Sequence, residues 1–344
     1  MRTVKRRALT ASLSLIILLL LNPTLVSAQT PASLSDIDRV RLAEAFRIAD
    51  SLGDQLWRGW SKAPFAVLLV TPDNEFLVRH EQPSPDFTLI NDDRLLKSKV
   101  YFRKRTQPIN LLATFPLVGG VPTIVIGQAE NTAKKTSSPW VITLLHEHFH
   151  QLQSSQPGYY DDVNALNLTR GDQTGMWMLN YPFPYDWAEM KEHFSRLSKL
   201  LADAINAKTK SDFASRFSAY LKQRRELEHT LSPDDYRYLS FQLWQEGIAR
   251  YTEYRMASLA ASHYWPTKAF RALKDYQPFA RVAEQTKENV LAELKNAQLG
   301  RSQRVLFYAL GAGEGLLLDR LNPRWRGRYL TEKFYLDKYF PPAK

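Results

Sequence analysis

The chain has 344 residues, no cysteine, and 46 Lys+Arg against 35 Asp+Glu, a formal charge of +11. Without cysteine it has no disulfide framework and no Cys-containing metal site, so any metal must be held by His and carboxylate side chains. A chain of this length can bury a sizeable core without disulfides. Its basic residues are scattered, with Arg103-Lys104-Arg105 the one dense cluster outside the N-terminus, and no nucleic-acid-binding module is recognisable.

Arg2, Lys5, Arg6 and Arg7 precede an apolar stretch from Ala8 to Leu21, and Val26-Ser27-Ala28 follows as a small-residue cleavage site. This order reads as a secretory signal peptide over residues 1–28, with a mature chain exported to the periplasm or the exterior. The apolar stretch is short for a membrane span, so no stable span is expected after cleavage. Removing residues 1–28 takes away four basic and no acidic residues, which leaves 42 against 35, or +7. That excess is compatible with ordinary solubility or with contact to anionic envelope surfaces and acidic peptides.

Residues 34–52 have helical periodicity, with Ser35 as cap and Ile37, Val40, Leu42, Ala45, Phe46 and Ile48 as the apolar set. Strands are expected from Phe65 to Val70 and from Glu75 to Arg79, around the turn Thr71-Pro72-Asp73-Asn74. Further strands are expected from Lys99 to Arg103, Leu111 to Leu117 and Thr123 to Gly127, with Gly119-Gly120 joining the last two. Helical patterns dominate from Ser138 onward, including two helices within residues 186–230. The expected fold is α+β. A small, mostly antiparallel sheet in residues 29–136 is followed by a helix-rich part in residues 137–344, and the two form one compact unit.

Within the run from Trp140 to Gln153, residues His146, Glu147 and His150 spell His-Glu-x-x-His. Positions four apart share one helix face, so both histidines can bind one metal ion, and Glu147 is close enough to act on a water held there. This is the zincin pattern, and with a Cys-free ligand set it points to Zn2+. Ser138-Pro139 suits a helix start, and Val141, Leu144, Leu145, Phe149 and Leu152 form a separate core stripe. His148 falls opposite His146 and is expected to face the core or a polar neighbour. His80, His193, His229 and His263 have no supporting spacing and are read as surface or packing residues.

A hydrolytic metal site needs a third protein ligand. Residues 241–254 read as a helix whose Trp244-x-x-Glu246-Gly247-x-Ala249-x-Tyr251 resembles the second zinc-binding helix of the gluzincins, metallopeptidases with a glutamate as third ligand. The resemblance covers residues 138–154 and 241–255. It implies a zincin-like fold, a zinc site between helices, and Glu246 as the third ligand. Gly247 would let this helix approach the His-Glu helix closely. Glu253 is a partner of a ligand, a competing ligand, or a solvated pair with Arg250 or Arg255. Several gluzincins orient the first histidine with an acidic residue four positions after the ligand. Arg250 stands there in this chain, so the partner of His146 is unassigned.

Tyr308 is the candidate donor to a developing oxyanion, since tyrosines occur at similar places in some gluzincin relatives; the alternative is a core tyrosine beside a small-residue packing face, and Tyr251 and Tyr254 are weaker candidates. Gly311-x-Gly313-x-Gly315 lacks the spacing of a phosphate loop. The strand from Val121 to Gln128 is either an exposed edge that receives an extended peptide or a core strand. The aromatic segment from Trp177 to Trp187 either lines a cleft or caps the core. The expectation is an exported zinc metallopeptidase, acting on peptides or proteins, in which Glu147 takes the proton of an attacking water. A zinc-dependent amidase or deacylase and a non-catalytic zinc-binding or scaffold protein of the envelope are the alternatives.

Overall fold

The computed structural model describes residues 33–341. The expected signal peptide lies outside the described residues. Helix α1, Asp36–Leu56, begins as its sequence indicates: the Ser35 hydroxyl accepts the Asp38 N–H, and Asp36 and Asp38 sit in the first turn, where carboxylates complement the helix dipole. Leu42, Phe46 and Ile48 are buried, whereas Ile37, assigned to the apolar face by periodicity, is exposed.

Six strands follow: β1 Val67–Val70, β2 Asn74–Val78, β3 Thr88–Asp93, β4 Ser98–Lys104, β5 Leu112–Val118 and β6 Val121–Gly127. Their spatial order is β3-β4-β2-β1-β6-β5. The sheet is mixed: β1 and β6 run parallel, and the other pairings are antiparallel. Thr71 and Asn74 close the β1–β2 hairpin. Gly119 and Gly120, at φ +57° and +73°, make the two-residue turn between β5 and β6 that L-residues rarely accommodate. Strand β3 has no clear counterpart in the sequence pattern, because Thr88-Leu-Ile-Asn-Asp-Asp93 is largely exposed and shows little alternation.

The position of β6 decides one open reading. The strand from Val121 is not an exposed edge; it lies between β1 and β5, with Ile124, Val125 and Ile126 fully buried. A run of consecutive β-branched residues is apolar on both faces, and only an interior strand covers both. The edge is β5.

The rest is helical: α2 Ser137–Ser154, α3 Tyr159–Ala165, α4 Trp177–Asn180, α5 Ala188–Asn206, α6 Lys210–Thr230, α7 Pro233–Gln242, α8 Ile248–His263, α9 Lys268–Arg271, α10 Phe279–Lys295, α11 Leu299–Ser302, α12 Val305–Leu321 and α13 Arg326–Tyr329. Between α7 and α8 the backbone continues as one π-helical turn, Leu243–Gly247. No helix among the described residues is long and apolar enough to cross a membrane. Helix α2 starts at Ser137 after Thr136, earlier than the Ser138-Pro139 signal suggests. The two serines are occupied elsewhere: Ser137 binds Asp275, and Ser138 accepts the Gln277 N–H.

The aromatic segment caps the core. Tyr181 stacks on Tyr238, and Phe183 packs edge-on against Phe194 and Phe307, while Trp187 remains exposed.

Gly247 has a different partner from the one expected. A Cβ there would lie 2.4 Å from the Cα of Gly311 on α12, and a Cβ on Gly311 would lie 2.4 Å from the Leu243 carbonyl oxygen. The glycines therefore bring the π-helical turn against α12, not against α2. Gly247→Ala is expected to destabilise the protein by at least ~1–3 kcal/mol, because backbone on both sides must move. Gly327→Ala, at a helical position with open space around the added methyl, should be neutral or stabilising by up to about 1 kcal/mol. Denaturant unfolding of the two variants checks the contrast, and equal stability would refute the packing argument.

Candidate metal centre

Helix α2 presents His146 and His150 one turn apart, with their Nε2 atoms 3.2 Å from each other. The same helix carries Glu147, and the three side chains form a buried group that could hold a metal ion. The π-helical turn adds Glu246, whose Oε2 lies 3.4 Å from His150 Nε2 and 3.7 Å from His146 Nε2. A π turn widens the helix locally and is often found at functional sites. Here it delivers the carboxylate beside the histidines.

The far side of each imidazole is also occupied. His146 Nδ1 is 2.8 Å from Glu253 Oε1 on α8. Of the alternatives for Glu253, the contact is that of a partner of a ligand residue: it meets the ring nitrogen of His146 turned away from the centre, where the sequence left the partner unassigned. His150 Nδ1 is 2.7 Å from Gln153 Oε1. The Gln153 amide nitrogen donates to the carbonyls of Trp244 and Gln245 and to the Tyr329 hydroxyl, which turns its oxygen toward the ring. Glu253 and Gln153 beside the Nδ1 atoms favour the tautomers whose Nε2 lone pairs face each other and Glu246, while the Gln245 amide nitrogen, 3.2 Å from His150 Nδ1, is a competing donor. Two lone pairs in that arrangement repel, and either a proton or a shared metal ion relieves them. The donor set therefore fits a metal ion: two imidazole nitrogens, one carboxylate oxygen, and ring orientations set from behind.

The charges agree. Burial alone would lower the His146 imidazole, but the carboxylates of Glu246 and Glu253 outweigh it and push it up to about 9. Burial opposes ionisation of Glu253 as well, yet Lys134, Arg250 and His146 hold its carboxyl well below the usual range. Glu246 is likewise held well down against burial, by His150 and His146. The centre attracts positive charge, and a metal ion there would compete with protons.

Glu147 is held from the sheet. The Thr114 hydroxyl on β5 is 2.8 Å from Glu147 Oε2 and 3.1 Å from its backbone carbonyl. The edge strand and the His-Glu helix are thus joined at the carboxylate. Tyr308 stands on α12, near Glu246, and its hydroxyl accepts a 2.6 Å hydrogen bond from Arg304 Nη1. Burial first, then the Glu246 charge, pushes its phenol well up, so it stays protonated.

Other residues take no part. His148 is stacked on Phe65 at 3.7 Å between ring centroids, with Trp60 beyond, and burial pushes it down to about 3. His80 is buried with Nε2 3.1 Å from the Val118 carbonyl. Tyr251 bonds to Asp319, away from the centre. Sequence reasoning missed Gln153 and Thr114. The first had a signal, three residues after His150 on the same helix; the second had none, being 33 residues from Glu147 on another element.

If Glu253 orients His146, Glu253→Ala should weaken zinc binding about 10- to 100-fold while the protein stays folded. Glu246→Ala should cost more, because it removes a ligand atom. Zinc titration of the metal-stripped proteins measures both, and wild-type affinity in either variant would remove that residue from the centre.

Comparison of the chain with protein-family models, with curated proteins and with solved structures finds no match.

Proposed function

We propose that the protein is an exported zinc metallopeptidase of gluzincin type, with His146, His150 and Glu246 as zinc ligands, Glu147 as general base and Tyr308 as oxyanion donor. The observation that carries this reading is the convergence of two Nε2 atoms and Glu246 Oε2 beside a second, non-equivalent carboxylate, Glu147, that is steadied by its own donor. A site built only to hold metal has no need of that carboxylate. Zinc bound there would supply Lewis acidity, by which water becomes nucleophilic near neutral pH.

The protein's own groups divide the remaining work. Glu147 accepts the proton of the attacking water at its carboxylate and returns it to the leaving amine nitrogen. Thr114 limits the rotation of that carboxylate and donates to Oε2, leaving the other oxygen for the water. Tyr308, kept protonated, donates to the oxygen on which charge develops. Strand β5 offers an extended peptide a backbone edge next to Glu147.

A second reading, a zinc-dependent amidase of small substrates, is favoured by the form of that edge. Pro116 has no N–H, and the β5–β6 register breaks between Phe115 and Val118, so only a short stretch of regular backbone is free to pair. Digests of peptides of graded length beside small acyl amides separate the two readings.

Glu147→Gln should retain zinc at wild-type stoichiometry and lose about 10²- to 10⁴-fold in kcat. Wild-type turnover in this variant would sink the catalytic reading. Thr114→Val should lower kcat with KM and zinc content little changed, whereas Thr114→Ser, which keeps the hydroxyl, should restore most of the rate. Equal rates in the valine and serine variants would mean that the hydroxyl has no role.

A further inference from the structure

Arginines shielded from solvent in this protein have carboxylate partners. Arg224 is paired with Glu314 at 3.1 Å, Arg250 with Glu293 at 3.4 Å, and Arg326 with Asp319 at 2.6 Å. The same holds for the other described arginines that are not exposed, with one exception. Arg304, half-buried just ahead of α12, has no carboxylate within ion-pair distance among the described residues. Its one side-chain hydrogen bond runs from Nη1 to the Tyr308 hydroxyl. Through Tyr308 it reaches the metal centre, since the glycine contact between Gly311 and Gly247 fixes α12 against the turn that carries Glu246.

Withdrawing a guanidinium from water without a counter-ion is costly. Glu246 lends some negative charge, but a metal ion held by Glu246 would take that charge up. Arg304 would then have no anion, with its remaining N–H donors within reach of solvent and therefore of a ligand. Guanidinium presents a planar fork that matches a carboxylate in two parallel hydrogen bonds.

We propose that Arg304 is a specificity-determining residue that binds a carboxylate of the substrate, either the free C-terminus of a peptide or an Asp or Glu side chain near the scissile bond. The inference rests on the peptidase reading above and names its substrate class. It also gives the Arg304–Tyr308 hydrogen bond a purpose: substrate anchoring and the oxyanion donor share one contact, so a bound carboxylate fixes both.

The test uses zinc-loaded full-length protein and three pools of N-acetylated tripeptides: free C-terminal carboxylates, the same peptides as C-terminal amides, and amides with Asn and Gln replacing Asp and Glu. Cleavage is measured with wild type, and binding by calorimetry with Glu147→Gln, each with and without Arg304→Gln. One charge-assisted pair corresponds to roughly a 10- to 100-fold preference. The wild type should show that preference, chiefly in KM and in affinity, and Arg304→Gln should abolish it without a large change in melting temperature. Preference for the carboxylate over the amide pool identifies the C-terminus as the anion. Preference for acidic over Asn/Gln amides identifies the side chain. Arg304→Lys, which keeps the charge but not the fork, is the second variant: a partial loss of preference supports the proposal, and an undiminished one overturns it. Equal use of all pools by the wild type, or a preference untouched by Arg304→Gln, also overturns it. If no pool is cleaved, the peptidase reading fails, and the binding comparison still decides what Arg304 recognises.

Discussion

Two imidazole nitrogens held 3.2 Å apart in a buried space beside a carboxylate need a proton or a metal ion between them. Much of the surrounding structure serves to keep them so. Glu253 and Gln153 hold the outer nitrogens, and each is held in turn: Glu253 by Lys134 and Arg250, Gln153 by two carbonyls and Tyr329. Removing charge from water is repaid only where hydrogen bonds and counter-charges are complete. Polar groups behind both adjacent histidines, with a carboxylate in front, separate the site from an ordinary buried helix with satisfied histidines.

The scaffold that enforces the arrangement is mostly aromatic. Tyr329 donates to the Trp244 carbonyl, stacks on the Trp244 ring and lies against Phe149 of the His-Glu helix, while Trp57, just after α1, packs on both Phe149 and Tyr329. Rigid rings have few rotamers to lose and large areas to bury. They fix α2 relative to the turn that carries Glu246, while the glycine contact fixes that turn relative to Tyr308 and Arg304. Three separate stretches of chain thereby meet with the small tolerances that a metal or a transition state demands.

Helices α1, α2, α5, α6 and α8, five of the six strands and the His146–Glu147–His150 group were legible because each depends on local pattern: helical periodicity, turn glycines, and ligands four residues apart on one helix. The rest was not, for identifiable reasons. Strand β3 carries little hydrophobic alternation, being a polar edge held mainly by pairing to β4. The edge role of β5 follows from the parallel pairing of β1 with β6, a long-range choice. Gly247 signalled a close approach correctly but not its partner, since a missing Cβ says that something is near and not what. Glu253 was visible as a carboxylate two turns beyond Glu246, and only the packing of α8 on α2 chose the nitrogen it meets.

The sequence by itself determined the chemical vocabulary of this protein: a cysteine-free donor set, two histidines and a glutamate on one helical face, and a second helix with a Glu-Gly pair. These are properties of covalent spacing, and helix geometry turns spacing into a shared face. Tertiary structure decided the grammar: which nitrogen of His146 is held from behind, which strand steadies Glu147, and which shielded arginine among the described residues is left without a counter-ion. Those outcomes depend on how side chains 33 to more than 100 residues apart meet at contact distance, where an ångström changes a ligand into a neighbour. No local pattern encodes that, because it is set by the packing of the whole core at once.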